Sequence, residues 1–474
     1  MTQFIFNGDK GLRVDTCYKS TEGLALFDFA KNHSTFAGKA GEIYYLPSME
    51  GQGQYLLGLG DRDKLDLEAL RKASFNLARA AKDNKTATLH LNLNDFELDG
   101  LKEEAVLEAL MEGFLQAEYK FSRKSDMAKD EDDSKEQDVE LEIAFLNNLD
   151  EAAFGKTERR IRNLIDGIFL ARNLVNQTSN EMYPEVLADK VKEVFQDLPV
   201  EVRILDEHEI QDLGMEAFYS VAKGSDRPPR FIIMEYDGGE EGQEKTALVG
   251  KGLTYDSGGY CIKSARGMST MHCDMGGAGT VIGTLLALAK NQVPVNVVAV
   301  VAACENLISG SSYKTGDIIG SLSGKTIEVG NTDAEGRLTL ADAVYFATDT
   351  LKADRLIDLA TLTGAVVAAL SDEYTGAITN DEAYFEGLQE VAKTEGEKIW
   401  LLPNDENLAK KNRDTKVADV LNSTSGGAGT ITAGQFVGEF LAREVPWIHL
   451  DIAGTAYGDR AKGYVPERAT GVLV

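Results

Sequence analysis

Residues 278–306 read AGTVIGTLLALAKNQVPVNVVAVVAACEN, and they divide into two patterns. AGTVIGTLLALAK has the apolar spacing of a helix and ends on Lys290. After the break at NQVP, the run VNVVAVVAACEN (295–306) is small and β-branched at odd and even positions alike. A strand that is apolar on both faces must be covered on both faces, which predicts a central strand of a parallel sheet with helices on each side. The alternation recurs around it. RFIIMEY and KTALVGKG precede it, helical LTLADAVYFATDTL leads into DRLIDLATL, and helical AGQFVGEFLARE leads into WIHLDIAG. The fold class expected is α/β: a larger C-terminal domain with a mostly parallel sheet flanked by helices, preceded by a smaller N-terminal α/β domain.

That smaller domain is placed at residues 1–150. EIYYLPS and ATLHLNL read as strands, and LDLEALRKASFNLARAAKD and EEAVLEALMEGFLQAEYKF as helices. The polar stretch SRKSDMAKDEDDSKEQDVE (122–140) reads as an exposed acidic loop. The strand LEIAFLNN then closes the domain. Residues 151–177, with ERRIRNLIDGIFLARNLVNQ at 158–177, form a connecting helix, and residues 178–474 form the larger domain. GGAGT occurs at 276–280 and 426–430 with unmatched flanks, so it reads as two Gly-rich helix entries rather than a duplication.

The 474 residues carry 49 basic and 77 acidic side chains, a net charge of −28. A field of that sign repels nucleic acid and anionic membrane surfaces. The opening MTQFIFNGDKGLRVD has no basic segment followed by an apolar run, and no stretch reaches the roughly 18 apolar residues of a membrane span. The four cysteines form no CxxC pair. The expected compartment is the cytoplasm. Only five histidines occur, none at HxxxH spacing, so any metal must be held largely by carboxylates.

Carboxylates do gather where such sheets place their sites, beyond the carboxyl ends of strands. ALVGKGLTYDSGG brings Lys251 and Asp256 into a Gly-rich turn. CIKSARGMSTMHCDMGGAGT brings Lys263 and Asp274, and VGNTDAEGRLTLADA (329–343) brings Asp333, Glu335 and Arg337. These are read as three strand exits on one edge of one sheet. Singly, Asp256 could form a turn, Asp274 could cap a helix and the others could be solvated. Together they point to chemistry. Four converging acids repel unless cations sit among them. Two divalent ions about 3.5–4 Å apart, bridged by shared carboxylates, would meet that need and suit hydrolysis. Mg²⁺, Mn²⁺ and Zn²⁺ all accept such oxygens. No GxxxxGK[ST] or GxSxG motif occurs, and the glycines at 277, 279 and 283 do not follow a strand.

NTDAEGRL (331–338), with VGKG (249–252), DSGG (256–259), IK (262–263) and MSTMHCDMGGA (268–278) in order, resembles the leucyl (cytosol) aminopeptidase family. The likeness runs over roughly residues 160–474, and the Tyr after DSGG is most similar to the bacterial peptidase B branch. The resemblance implies a metallo-aminopeptidase with two divalent ions per subunit, Zn or Mn. It implies that Asp256 and Glu335 bridge the ions, that Asp333 completes one site, and that Lys251 and Asp274 complete the other. A metal-held hydroxide would attack the peptide carbonyl, with Lys263 stabilising the oxyanion and Arg337 holding a bicarbonate as general base. Met271 would line the pocket for the first side chain. The partners implied are peptides with a free N-terminus, and the assembly implied is a homohexamer. The alternatives are a metal-dependent phosphohydrolase using the same acids, or an inactive binding or regulatory scaffold.

Overall fold

The computed structural model describes residues 1–48, 53–96, 98, 100–123 and 139–474. Of the predicted acidic loop, residues 124–138 lie outside the described residues. The chain forms two compact units. One comprises Met1–Ile165 with Thr394–Gly396 and Ala461–Pro466, and the other comprises Asp166–Lys393, Glu397–Arg460 and Glu467–Val474.

The first unit is built on six strands: β1 (Gln3–Phe6), β2 (Leu12–Tyr18), β3 (Ile43–Leu46), β4 (Gln54–Gly60), β5 (Thr88–Asn92) and β6 (Glu142–Leu146). Their order is β1-β6-β5-β2-β4-β3, parallel throughout except for the β3–β4 hairpin pair. The helices Leu67–Asp83 and Glu103–Gln116 bury Leu70, Leu77, Leu107, Leu110 and Phe114. Asp66 caps the first of them by accepting from the Ala69 amide.

The second unit carries β7 (Glu201–Leu205), β8 (Arg230–Asp237), β9 (Lys245–Asp256), β10 (Asn296–Asn306), β11 (Ile318–Ile319), β12 (Ile327–Glu328), β13 (Arg355–Ala360), β14 (Thr375–Thr379), β15 (Ile399–Leu401), β16 (Val420–Leu421) and β17 (Trp447–Asp451). Eight of these form the main sheet in the order β15-β14-β17-β13-β9-β10-β8-β7. The centre, β17-β13-β9-β10, is parallel, whereas β8, β7 and β14 join antiparallel. Every residue of β10 is buried. Val298, Val300, Ala302 and Cys304 enter one apolar core, while Val297, Ala299, Val301 and Ala303 enter the other. That period-2 division between two covered faces is the physical content of the 295–306 run.

Three readings change. β9 does not end before Lys251; it runs on to Asp256, and the turn proper begins at Ser257. β12, which leads into the 329–343 stretch, belongs to a separate three-stranded sheet, β11-β12-β16, so the acids do not all leave one sheet. A two-residue strand has too little period to reveal its sheet from sequence. The first GGAGT is not an entry but the opening of the helix Gly276–Lys290 itself. In the second, Gly426, Gly427 and Ala428 all have positive φ ahead of the helix Gly429–Gly438. The long helix itself spans Glu151–Asn176.

Candidate metal centre

Lys251 lies within β9, and Asp256 closes it; both are almost wholly buried. The Lys251 Nζ is 2.7 and 2.9 Å from the two oxygens of Asp274 and 2.9 Å from Glu335 Oε1, and it donates to the Thr361 carbonyl at 2.9 Å. A Cβ at Gly336 would fall 2.5 Å from Lys251 Cε, so the absence of a side chain there lets the lysine stem through. Lys263, after the turn, sets its Nζ between Asp256 Oδ2 (2.7 Å) and Asp333 Oδ1 (2.5 Å). The turn needs its glycines: Gly258 and Gly259 have φ of +85° and +60°.

Glu335 and Arg337 are packed into the interior, and Asp333 lies at its edge, contrary to what three charged residues in nine would suggest for a turn. Glu335 is 2% and Arg337 9% exposed, and Asp333 is partly buried. One carboxylate oxygen from each of Asp256, Asp333 and Glu335 lies within 4.8 Å of the others. Asp274 joins them through Lys251. The sequence-derived acids and lysines are thus brought together, although by two sheets rather than one.

Burial and the neighbouring acids push Asp256 up to about 8, and burial pushes Asp274 up to about 6 against the pull of Lys251. Burial also raises Asp333. Glu335 goes the other way, because Lys251 and Lys263 together outweigh its burial. Both lysines are held well above their usual range by these carboxylates, despite burial. Fully ionised, four carboxylates against two ammonium groups would leave two negative charges in a largely buried space, and it is this surplus that the raised Asp256 reflects. Glu335 Oε2 is buried with no hydrogen-bond partner among the described residues. An all-oxygen acid cluster with a surplus of charge and an orphaned carboxylate oxygen fits divalent cations.

Arg337 donates from Nη1 to the Asn422 carbonyl at 2.9 Å, and its Nε is buried with no hydrogen-bond partner among the described residues. Burial pushes its guanidinium down to about 10, with Glu335 and Asp451 opposing. Met271 lies on the 3₁₀ turn Met271–Cys273, just ahead of Asp274, and packs partly buried against the apolar core.

Neutral residues that the sequence reading passed over complete the site. Thr361 Oγ1 donates to Asp274 Oδ1 at 2.7 Å. Asn422 binds the 330–334 turn through Gly330 N, Asn331 N, Asn331 O and Ala334 O. Thr332 Oγ1 accepts from Cys261 N and donates to Gly258 O, joining the two acidic turns. The only sequence signal for Thr361 is its place one residue beyond β13, at another strand exit.

The family model described as the cytosol aminopeptidase family catalytic domain matches residues 169–474, and that for the family's N-terminal domain matches residues 25–126. The chain is 49% identical over 448 residues to a probable cytosol aminopeptidase of Treponema denticola, covering 94% of this chain and 92% of the relative. It is 44% identical over 476 residues to one of Clostridium tetani, covering 100% and 97%. Among solved structures it is similar to the bottromycin maturation enzyme BotP in complex with Mn, with TM-score 0.85 and 27% identity over 97% of this chain and 96% of that one. It is also similar to the cytosol aminopeptidase of Coxiella burnetii, with TM-score 0.83 and 28% identity over 99% of this chain and 96% of that one. With both domain models matched and near-complete overlap with these relatives, the chain belongs to the cytosol aminopeptidase family.

Proposed function

We propose that this chain is a dinuclear metallo-aminopeptidase that removes the N-terminal residue from peptides. The observation that carries the reading is the convergence of Asp256, Asp333 and Glu335 oxygens within 4.8 Å, with Glu335 Oε2 orphaned. Asp256, Asp333 and Glu335 would hold one ion, and Asp274 and Lys251, the latter as a neutral amine whose proton the ion displaces, would hold the other with Asp256 and Glu335 shared. The BotP complex is a Mn-bound relative of the same architecture, which supports Mn²⁺ as one occupant; Zn²⁺ is the other candidate. When bound, such ions supply Lewis acidity that polarises a carbonyl and acidifies water.

The remaining work falls to side chains. The Lys263 ammonium, 18% exposed, is the donor able to reach an oxygen on which negative charge develops. Arg337 cannot accept a proton. Its unpartnered Nε favours an anion beside it, and a bicarbonate held there would serve as the base. Met271 presents a flexible thioether to the first side chain, which suits varied apolar residues. On the same reading residues 1–150 are the N-terminal domain, 151–177 the connecting helix and 178–474 the catalytic domain. A homohexamer and a cytoplasmic location follow from kinship with the family.

The test is hydrolysis of leucine p-nitroanilide by metal-stripped protein with Mn²⁺ or Zn²⁺ restored. Activity should return with metal, fall to background in Glu335→Ala, and be absent on an N-acetylated substrate. Metal-dependent cleavage of phosphate esters without peptidase activity would overturn the reading in favour of a phosphohydrolase, and inactivity with every metal would favour an inactive scaffold.

A further inference from the structure

We propose that Asn306 is a positioning residue for Asp256, selecting which of its two oxygens faces the metal centre; the inference rests on the dinuclear reading above. Asn306 is the last residue of β10 and is fully buried. A register shift after Cys304 sets it opposite Asp256 on the parallel strand β9. Its Nδ2 donates to Asp256 Oδ1 at 2.8 Å and to the Thr332 carbonyl at 3.0 Å. The Gly258 amide donates to the same Asp256 Oδ1 at 2.9 Å. Two donors on one carboxylate oxygen leave the other, Oδ2, turned to the Lys263 ammonium at 2.7 Å.

The amide does two things at once. It closes Oδ1 to any cation, so Asp256 enters the centre through Oδ2 alone. It also ties Asp256 to the main chain immediately before Asp333, fixing the spacing between acids on two different turns. Asn306 is itself held firmly, because its carbonyl accepts from Ser257 N (3.0 Å) and Ser257 Oγ (2.7 Å). A Cβ at Gly259 would come within 3.1 Å of Asn306 Oδ1, so the turn closes tightly over it. Outer hydrogen bonds that orient metal-ligating carboxylates govern affinity, commonly by about 10–100-fold.

The experiment titrates Mn²⁺ into the metal-stripped full chain and records the electron paramagnetic resonance spectrum beside the binding isotherm. Asn306→Leu removes both donors at similar volume, and Asn306→Ser is the smaller polar variant. Tyr313→Phe is the control, since Tyr313 donates to the same Thr332 carbonyl at 2.8 Å but no bond of its hydroxyl reaches Asp256. Both Asn306 variants should bind Mn²⁺ about 10–100-fold more weakly and lose the exchange-coupled signal of a paired centre. Tyr313→Phe should keep both. Wild-type affinity in the Asn306 variants, or an equal loss in Tyr313→Phe, would overturn the inference. Should the Asn306 variants not fold, a crystal structure of Mn²⁺-loaded wild type decides: Oδ2 on the metal with Asn306 on Oδ1 supports the role, and Oδ1 on the metal overturns it. Failure of the wild type to bind Mn²⁺ would instead sink the dinuclear reading itself.

Discussion

His449 lies in β17 with its imidazole wholly buried and Nδ1 2.5 Å from Asp358 Oδ1 on the adjacent β13. Trp447 Nε1 donates to the other Asp358 oxygen at 2.7 Å. Burial pushes the imidazole down, but Asp358, helped by Asp451 and opposed by Arg337, carries it above its ordinary value. A histidine whose folded pKa is raised binds its proton more tightly when folded. The pair's stabilisation is therefore complete below the unfolded pKa of about 6.5 and drains away as pH rises through the folded value. Breaking a buried pair by removing one partner costs about 3–5 kcal/mol. Asp358→Asn should thus lose about that much at pH 5.5 and distinctly less at pH 9, as read from urea unfolding of metal-free protein. A loss independent of pH would show that the imidazole is neutral throughout and that Asp358 serves chiefly to accept hydrogen bonds.

The helix Gly276–Lys290 is the element on which the centre depends, because it starts two residues after Asp274. At Gly277 it sits against the sheet with no room for a side chain. A Cβ at Gly277 would lie 2.0 Å from the Leu359 carbonyl oxygen and 2.9 Å from the Lys251 nitrogen. On the far side Gly283 and Gly167 meet backbone to backbone, each Cβ position 2.5 Å from the other's carbonyl oxygen. Gly277→Ala must push the helix off β9 and β13. The expected cost is about 1–3 kcal/mol or more, together with weaker Mn²⁺ binding, since Lys251 and Asp274 flank the contact. Gly387→Ala is the contrast: it lies within the helix Glu382–Thr394 with nothing within 4 Å, and should gain about 0.5–1 kcal/mol. Denaturation curves and Mn²⁺ titrations of both variants check this, and equal stabilities would mean that the helix backs away freely. The strength of the Gly-rich helix and of β10 as sequence signals has the same origin. Both are long and apolar on every side, so their patterns report burial directly. Antiparallel β8 was not distinguishable from a parallel strand, because burial on both faces carries no direction.

Across the whole molecule, the charged part of the site was legible in sequence and the neutral part was not. Lys251, Asp256, Lys263, Asp274, Asp333, Glu335 and Arg337 stood out because so many charges at element ends need a reason. Thr332, Thr361 and Asn422 look like ordinary turn residues and Asn306 like the polar end of a strand, and their bonds reach across the chain: Asn422 meets Asn331 from 91 residues away. Only the folded chain brings them together. The same convergence concentrates four acids and two lysines in the unit that contains Asp166–Lys393, and on the dinuclear reading proposed above that unit's stability should depend on cations. A ligand that binds only the folded state stabilises it by about 2.7 kcal/mol at one hundred times its Kd. Scanning calorimetry of the metal-stripped chain should therefore show the transition of this unit move upward as Mn²⁺ is added. The transition of the unit that contains Met1–Ile165, which holds none of these ligands, should stay in place. Glu335→Gln, which removes a carboxylate from the centre, should lose most of the shift. If both transitions moved together, the two units would be unfolding as one cooperative block. If neither moved, the folded chain would not be selecting the metal, and the surplus negative charge would have to be met by protons instead.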